Sequence, residues 1–500
     1  ELRNSQHATG KLADGDDAIN NLAGGTVLLS DSVITLGDGS GSEAFANAGT
    51  LTTQGYGLID MGGGALTNTG MIDFLDGAPD DVLVIEGDLA GTGSINLDLS
   101  LLNQASDLLY VDGDVASNAV QTVNVDFPGA PTTASTSVEF AYVSGTSVAS
   151  NFVGGEVIGW GPANFLDLDV SVTSDIDASN ATDDVFLVNV DVVGLNDTGT
   201  LAASAASGAA NFLNAQVGTF RQRLGVNPYG DPGKVMSGFV RFYTDEGDVN
   251  PQHLASNFGQ GGNFAFDQTT WGREVGVNAN LFGNFHAGVV LGTADSRQRL
   301  TGAGVGENRM DGMTWGAYAT WYQPEGFYVD LTGRWMAADI RSTSAAGVLE
   351  SRAHTKAYSL EAGYEFAVGS FKLVPQAQYV RTEVEDIRTF HGDRVTFDAH
   401  GGTSSRGRIG VEFNTTFQAG GARITPYASI NAVREFDGES TYTVAENFHG
   451  MTSTQGTSTM AELGVGMQKG GFGFTLGANW LDGGAFDSFV GGQAVIRYAW

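Results

Sequence analysis

The chain has 500 residues, 57 acidic and 24 basic side chains and no cysteine, which gives a formal net charge of -33. The lack of cysteine excludes a disulfide framework and a thiolate metal site, and the strongly acidic residues 1–198 should repel nucleic acid. No run of about 18 apolar residues occurs, which excludes a membrane-spanning helix but leaves open a barrel of alternating strands.

The charge is unevenly distributed along the chain. Residues 1–198 hold 29 acidic and two basic side chains, whereas the remainder holds 28 acidic and 22 basic side chains. A domain boundary near residue 198 is therefore expected. The first residues show neither a basic nor an apolar signal region, so any export signal is expected upstream of Glu1.

Residues 1–198 consist of short β-rich runs separated by Gly, Asn, Asp and Thr, with alternating apolar positions such as Ile95, Leu97 and Leu99. No single run can bury its own apolar side, so we expect the runs to stack as successive coils of a right-handed parallel β-helix, here called the stem. A globular β-sandwich remains the alternative, because the spacing of the runs is irregular.

Candidate chemistry in the stem is weak. The run from Gly37 to Ser42 superficially resembles a serine protease motif, but the order of its residues differs and the only histidine nearby in sequence is His7. A serine nucleophile needs a positioned base, so we expect no catalysis and no cofactor. The carboxylates that could offer oxygens to Ca²⁺ are interpreted as solvated turn residues; they are Asp14, Asp16, Asp17, Asp80 and Asp81.

One helix is predicted between the two regions, from Thr200 to Gly225, because Ala, Leu, Gln and Arg favour helix and Gly suits its C-terminal end. The helix is slim, contains Gly208 and Gly218, and would be about 38 Å long at 1.5 Å per residue. We interpret residues 199–225 as a linker that spans a pore, with a solvated interdomain linker as the alternative. Its pore-facing candidates are Leu201, Phe212, Leu213, Val217, Phe220, Arg221 and Arg223, and the two arginines are expected to complement the helix dipole.

Residues 234–500 divide into twelve alternating segments, most of them long enough for a tilted strand to cross a bilayer. The predicted segments are Val235–Thr244, Thr270–Leu281, Phe285–Asp295, Asp311–Tyr322, Gly326–Ile340, Thr355–Val368, Phe371–Glu385, Thr403–Gln418, Arg423–Phe436, Ser458–Lys469, Phe472–Asp482 and Ser488–Trp500. Connections alternate between long ones, such as 341–354, and tight turns, as in outer-membrane barrels. The fold class is therefore all-β, with a 12-stranded antiparallel transmembrane β-barrel and a pore-spanning α-helix after the β-helix.

The two faces of these strands differ sharply in chemistry. In one segment Tyr358, Leu360 and Tyr364 alternate with Ser359 and Glu361. We expect the apolar face to contact lipid and the polar face to line the lumen. The charged residues assigned to the lumen are Arg334, Glu361, Glu365, Arg408, Glu412, Glu462 and Arg497.

The chain ends with Ala494, Ile496, Tyr498 and Trp500 on one strand face. This pattern resembles the C-terminal signature read by the outer-membrane assembly machinery. Together with GFYVDLTGRW, YSLEAGYEF, RGRIGVEFN and AELGVGMQKG, it resembles the translocator domain of monomeric autotransporters, which carry out type V secretion. The resemblance covers residues 234–500 closely and the helix and stem more loosely.

The resemblance implies a monomer in the outer membrane of a Gram-negative bacterium, with its own passenger at the cell surface or outside the cell. It implies lipid, the barrel assembly machinery and periplasmic chaperones as partners, and an autochaperone-like part at about 81–195. Some members cleave the passenger at an Asn followed by a second Asn. Here Asn211 matches the first position but Phe212 occupies the second, so passenger and barrel are expected to remain joined.

Three functions are thus in competition. The first is a translocator that exports and anchors an adhesin or surface scaffold. The second is a porin-like channel with an appendage, which would lack the helix in its lumen. The third is a carrier of an enzymatic passenger, whose catalytic residues would precede Glu1.

Overall fold

A computed structural model describes residues 18–36, 43–177, 182–226, 228–229, 234–259, 264–302, 304–385 and 387–500. It divides the described chain into two compact units, one up to Gly161 together with Asp167–Gly194, and one of Pro162–Leu166 together with Leu195–Trp500. The run from Gly37 to Ser42, His7, Asp14, Asp16 and Asp17 lie outside the described residues. Within the described part of the chain, no α-helix is long and apolar enough to cross a membrane.

The first unit contains fourteen described strands. They are β1 (Ala18–Asn21), β2 (Thr26–Thr35), β3 (Ala44–Asn47), β4 (Thr50–Asn68), β5 (Met71–Asp73), β6 (Val82–Ala90), β7 (Thr92–Ser100), β8 (Ala105–Ser106), β9 (Leu108–Val111), β10 (Val120–Asp126), β11 (Ser135–Val143), β12 (Phe152–Val157), β13 (Leu166–Asp175) and β14 (Asp184–Leu195). Most neighbouring strands pair in parallel, as in the series β4, β6, β9 and β11. The antiparallel pair of β11 and β14 ends this stack. The predicted solenoid is confirmed, and the sandwich alternative is wrong.

The stem interior is an aliphatic and aromatic column with one polar edge. Fully buried side chains such as Leu51, Leu83 and Leu109 contribute to the column. Along the edge, buried amides bond from coil to coil: Asn21 to Asn47 at 2.7 Å, Asn47 to Asn68 at 2.8 Å and Asn68 to Gln121 at 2.7 Å. Each coil therefore satisfies the polar groups of its neighbour, which a single coil could not do.

The interpretation of Asp81 as a solvated turn residue is wrong. Its side chain is 1% exposed, and its Oδ1 accepts a hydrogen bond from the Gly55 N–H at 2.6 Å. Burial raises the pKa of Asp81 to about 6. Asp107, which accepts the N–H of Asp81 at 3.0 Å, is also buried, and burial raises the pKa of its carboxyl to about 8. Asp80, by contrast, is exposed as predicted.

Among the described residues of the second unit, twelve antiparallel strands close a barrel. These are β15 (Met236–Val249), β17 (Phe266–Phe282), β18 (Phe285–Leu300), β19 (Glu307–Tyr322), β20 (Phe327–Ser344), β21 (Gly347–Tyr364), β23 (Phe371–Val384), β25 (Thr396–Thr415), β27 (Ala422–Glu435), β30 (Gly456–Lys469), β31 (Phe472–Gly483) and β32 (Phe486–Ala499). Shorter strands are β16 (Gln252–Ser256), β22 (Phe366–Val368), β24 (Phe390–His391), β26 (Phe417–Ala419), β28 (Glu439–Val444) and β29 (Phe448–Ser453). The predicted all-β fold with a twelve-stranded barrel is confirmed.

The predicted sorting of strand faces is also confirmed. Tyr358, Leu360 and Tyr364 are exposed on the outside, whereas Ser359 and Glu361 are buried inside. All seven charged residues assigned to the lumen are buried. Exposed aromatic residues on the outer surface include the indole of Trp315, stacked on Trp335 with 4.3 Å between ring centroids.

The strands extend beyond the predicted segments. The prediction of a long loop over residues 341–354 is wrong, because β20 and β21 remain paired along their whole length. The pairing starts at Phe327 opposite Tyr364 and ends at Ser344 opposite Gly347. The connection after β15 is also partly paired, since β16 joins β29. Neighbouring strands stay hydrogen-bonded beyond the segments in which apolar and polar residues alternate. The polar side chains of these extensions are compatible with a sheet that lies in water.

Candidate functional site: the plugged lumen

The predicted helix forms as two pieces. Helix α1 spans Asp197–Val217 and helix α2 spans Phe220–Leu224. Between them Gly218 has a φ of +56°, a left-handed conformation that favours glycine. The side chain of Thr219 then accepts the N–H of Gln222 and begins the second helix. The prediction of one continuous helix is therefore wrong at this position.

The barrel strands hold α1 through its main chain as well as through its side chains. Side-chain amides of the lumen donate to helix carbonyl oxygens in a row. The bonds run from Asn308 to Leu201 at 2.9 Å, from Gln298 to Ser204 at 2.9 Å, from Gln268 to Gly208 at 3.1 Å and from Gln378 to Gly218 at 2.9 Å. At Gly208 an added Cβ would lie 2.6 Å from the Gln298 amide oxygen, so the small residue permits this close approach.

The apolar members of the predicted pore set are buried in the lumen. Leu201, Phe212, Leu213 and Val217 on α1 and Phe220 on α2 are each at most 4% exposed. Phe220 stacks on Tyr328 with 4.9 Å between ring centroids. These contacts support the interpretation of a plug and contradict that of a solvated linker.

The two arginines of α2 pair with carboxylates of the barrel. Arg221 binds Glu412 through two hydrogen bonds, from Nε at 2.9 Å and from Nη2 at 2.5 Å. Arg223 pairs with Asp330 and lies over the ring of Tyr318, 4.5 Å from its centroid. Both pairs are largely buried, so each arginine neutralises a lumen carboxylate that would otherwise be unpaired.

Arg221 and Arg223 do not complement the dipole of α1, because that helix ends before them. Arg241 of β15 does so instead, since its Nη1 donates to the carbonyl of Gln216 at 2.9 Å. Arg241 also lies 3.4 Å from Glu274, which binds Arg334 at 2.7 Å. All three charged side chains are at most 2% exposed.

A cavity of 130 Å³ lies beside α1, and its mixed lining includes Asn211, Arg241, Asp245 and Arg406. Asn211 donates to the amide oxygen of Gln268 at 3.1 Å. Phe212 is fully buried, and a Cβ added at Gly312 would lie 2.9 Å from its ring. The two residues of the candidate cleavage pair therefore contact different parts of the lumen.

The C-terminal signature lies at the seam where the barrel closes. Strand β32 pairs with β15, and Trp500 exchanges two backbone hydrogen bonds with Met236, at 3.0 and 3.3 Å. Ile496, Tyr498 and Trp500 are exposed on the outer surface and Ala494 is half-buried. Their common outward face agrees with the alternation predicted from sequence.

Sequence reasoning missed a docking segment at Pro162–Leu166, which belongs to the barrel unit. Asn164 accepts the N–H of Arg394 at 2.8 Å, and Phe165 packs on Phe397 with 5.5 Å between ring centroids. A Cβ added at Gly392 would lie only 1.9 Å from the carbonyl oxygen of Ala163. Phe165 has a φ of +61°, and its carbonyl accepts the N–H of Asn196, just before α1. This segment therefore fixes the point where α1 begins.

Comparison with known proteins identifies the barrel. Residues 252–480 match the family model of the autotransporter beta-domain. The pertactin autotransporter of Bordetella parapertussis is 34% identical over 214 residues, which cover 40% of this chain and 22% of that protein. The autotransporter adhesin/invasin TibA of Escherichia coli is 25% identical over 173 residues, covering 33% of this chain and 17% of that protein.

The present chain thus spans about a fifth of the length of such relatives. Among solved structures, the translocator domain of the autotransporter NalP from Neisseria meningitidis matches with a TM-score of 0.46 and 14% identity, covering 60% of this chain and 99% of that one. The match to the family model and the similarity to pertactin identify the C-terminal barrel of this chain as an autotransporter beta-domain.

Proposed function

We propose that the barrel exports the stem to the cell surface and then anchors it there, with α1 and α2 left as a plug in the lumen. The autotransporter β-domain lies in the outer membrane, with its exposed apolar band against lipid. The observation that carries the proposal is the match between lumen and helix: a row of amides for its main chain and two carboxylates for Arg221 and Arg223.

Folding of the stem supplies the driving force in this proposal. Each coil that forms outside satisfies the exposed edge of the preceding coil, as the buried ladder of Asn21, Asn47 and Asn68 illustrates. A folded stack is too wide to return through a lumen that a single helix fills. Export is thereby made irreversible without a cofactor.

Removal of the helix tests the plug. We expect deletion of residues 200–223 to raise single-channel conductance in planar bilayers roughly tenfold, because a helix about 10 Å across leaves the lumen. The variant that lacks residues 200–223 should keep the circular dichroism signal of β-sheet, which serves as evidence that its barrel has folded. An intact chain that already conducts like the deleted one would support a porin-like channel and contradict the proposal.

Passenger and barrel are proposed to remain one polypeptide. Phe212 replaces the second Asn of the cleavage pair, and its ring is fully buried against the barrel. We expect mass spectrometry of outer membranes to find Asn211 and Phe212 joined within one peptide. A fragment that ends at Asn211 would contradict this.

The resemblance to the family supports the remaining proposals. We propose a monomer that barrel assembly machinery inserts through Ala494, Ile496, Tyr498 and Trp500, after delivery by periplasmic chaperones. The stem is proposed to belong to a non-enzymatic passenger, an adhesin or a surface scaffold, with an autochaperone-like part at about 81–195. Of these two alternatives, the similarity to TibA, which is named an adhesin/invasin, supports an adhesin.

A further inference from the structure

One face of the stem carries a groove of 410 Å³ that the translocator function does not use. Its lining combines aromatic rings with carboxylates, chiefly Tyr56, Tyr110, Tyr142, Glu86, Asp112 and Asp183. Tyr110 and Tyr142 are register partners on β9 and β11. Their rings stack with 4.9 Å between centroids and 8° between planes, and Tyr56 is 47% exposed.

In the described part of the stem, from Ala18 onward, the carboxylates of the groove have no basic side chain available as a partner. Residues 12–220 contain no Lys, Arg or His at all. Asp112 accepts a hydrogen bond from the Ser144 hydroxyl at 2.7 Å, and this neutral donor leaves its charge uncompensated. Glu86 and Asp60 are register partners on adjacent coils, so their like charges lie side by side. The groove therefore favours a cationic occupant.

The stacked phenol rings specify which cation fits. A guanidinium group is planar, stacks on aromatic faces and binds a carboxylate through two hydrogen bonds, whereas an ammonium group acts as a point charge. We propose that this groove binds an arginine-containing segment of another polypeptide. The inference concerns the stem alone, and its failure would leave the translocator proposal untouched.

The test uses the whole chain in nonionic detergent micelles at physiological salt. Calorimetric titration with hexa-arginine is compared with hexa-lysine, which has the same charge. We expect the arginine peptide to bind about fivefold more tightly, the difference that cation–π stacking typically contributes. Tyr110→Leu should abolish this preference, and Tyr110→Phe, which keeps the ring, should retain it.

A matched pair of charge changes separates the groove from the general acidity of the stem. Glu86→Gln removes a lining carboxylate, and Glu156→Gln removes an exposed carboxylate on β12 that does not line the groove. We expect the first change to weaken binding of hexa-arginine severalfold and the second to have little effect. Equal affinity for the two peptides would overturn the proposal. Equal losses of affinity for hexa-arginine in the two variants would also overturn it.

Discussion

Replacement of Glu274 by glutamine should lower the free energy of unfolding of the barrel by about 3–5 kcal/mol, because it leaves two buried arginines without their counter-ion. Glu274 binds Arg334 at 2.7 and 3.3 Å and lies 3.4 Å from Arg241. The neutral amide cannot compensate either cation. Thermal unfolding in detergent micelles, followed by circular dichroism and by the heat-dependent shift in electrophoretic mobility, measures the loss.

The control for this prediction is a solvent-exposed pair on the same barrel. Glu350 lies 3.2 Å from Arg341 at the end of the β20 and β21 hairpin, and both side chains are more than 60% exposed. Glu350→Gln should cost less than about 1 kcal/mol, since exposed ion pairs contribute little. Equal losses of unfolding free energy in the two variants would show that burial does not determine how much Glu274 contributes to stability.

Replacement of Phe152 by alanine should destabilise the stem by about 3–5 kcal/mol, the usual cost of emptying a buried aromatic site. The ring is 1% exposed and packs on Phe140 and Phe186, with centroid separations of 5.6 and 4.6 Å. If stem folding drives export, this variant should also display less passenger on intact cells while the barrel still inserts. Hydrogen exchange of stem amides measures the stability, and surface labelling measures the display.

Val153→Ala on the same strand provides the comparison, because Val153 is 37% exposed. It should change stability by less than about 1 kcal/mol and leave display unchanged. Normal display of the Phe152→Ala variant, despite a destabilised stem, would contradict stem folding as the driving force.

The barrel was predictable from sequence because lipid imposes a simple rule on every strand. Outward positions such as Leu360 must be apolar and inward positions such as Glu361 must be satisfied inside, so the period of two persists along each crossing. The terminal pattern that ends at Trp500 follows the same rule. The ends of the strands were less predictable, since outside the membrane a paired strand and a polar loop have similar composition.

The lumen was only partly predictable. Sequence placed a helix there and identified Arg221 and Arg223, but their partners Glu412 and Asp330 come from strands far along the chain. The amides of Gln298 and Asn308 carry no local signal, because their role depends on which helix carbonyl they face. The docking of Phe165 on Phe397 is likewise a long-range contact without a motif.

The hydrogen bonds from lumen amides to helix carbonyl oxygens have a consequence for the proposed export of the passenger. Every amino acid carries the same carbonyl group, so amides such as Gln298 and Gln268 offer hydrogen bonds to any polypeptide that moves past them. If the passenger crosses the lumen as proposed, these amides would accept its main chain whatever its side chains are. Passengers of different composition would then be compatible with the same barrel.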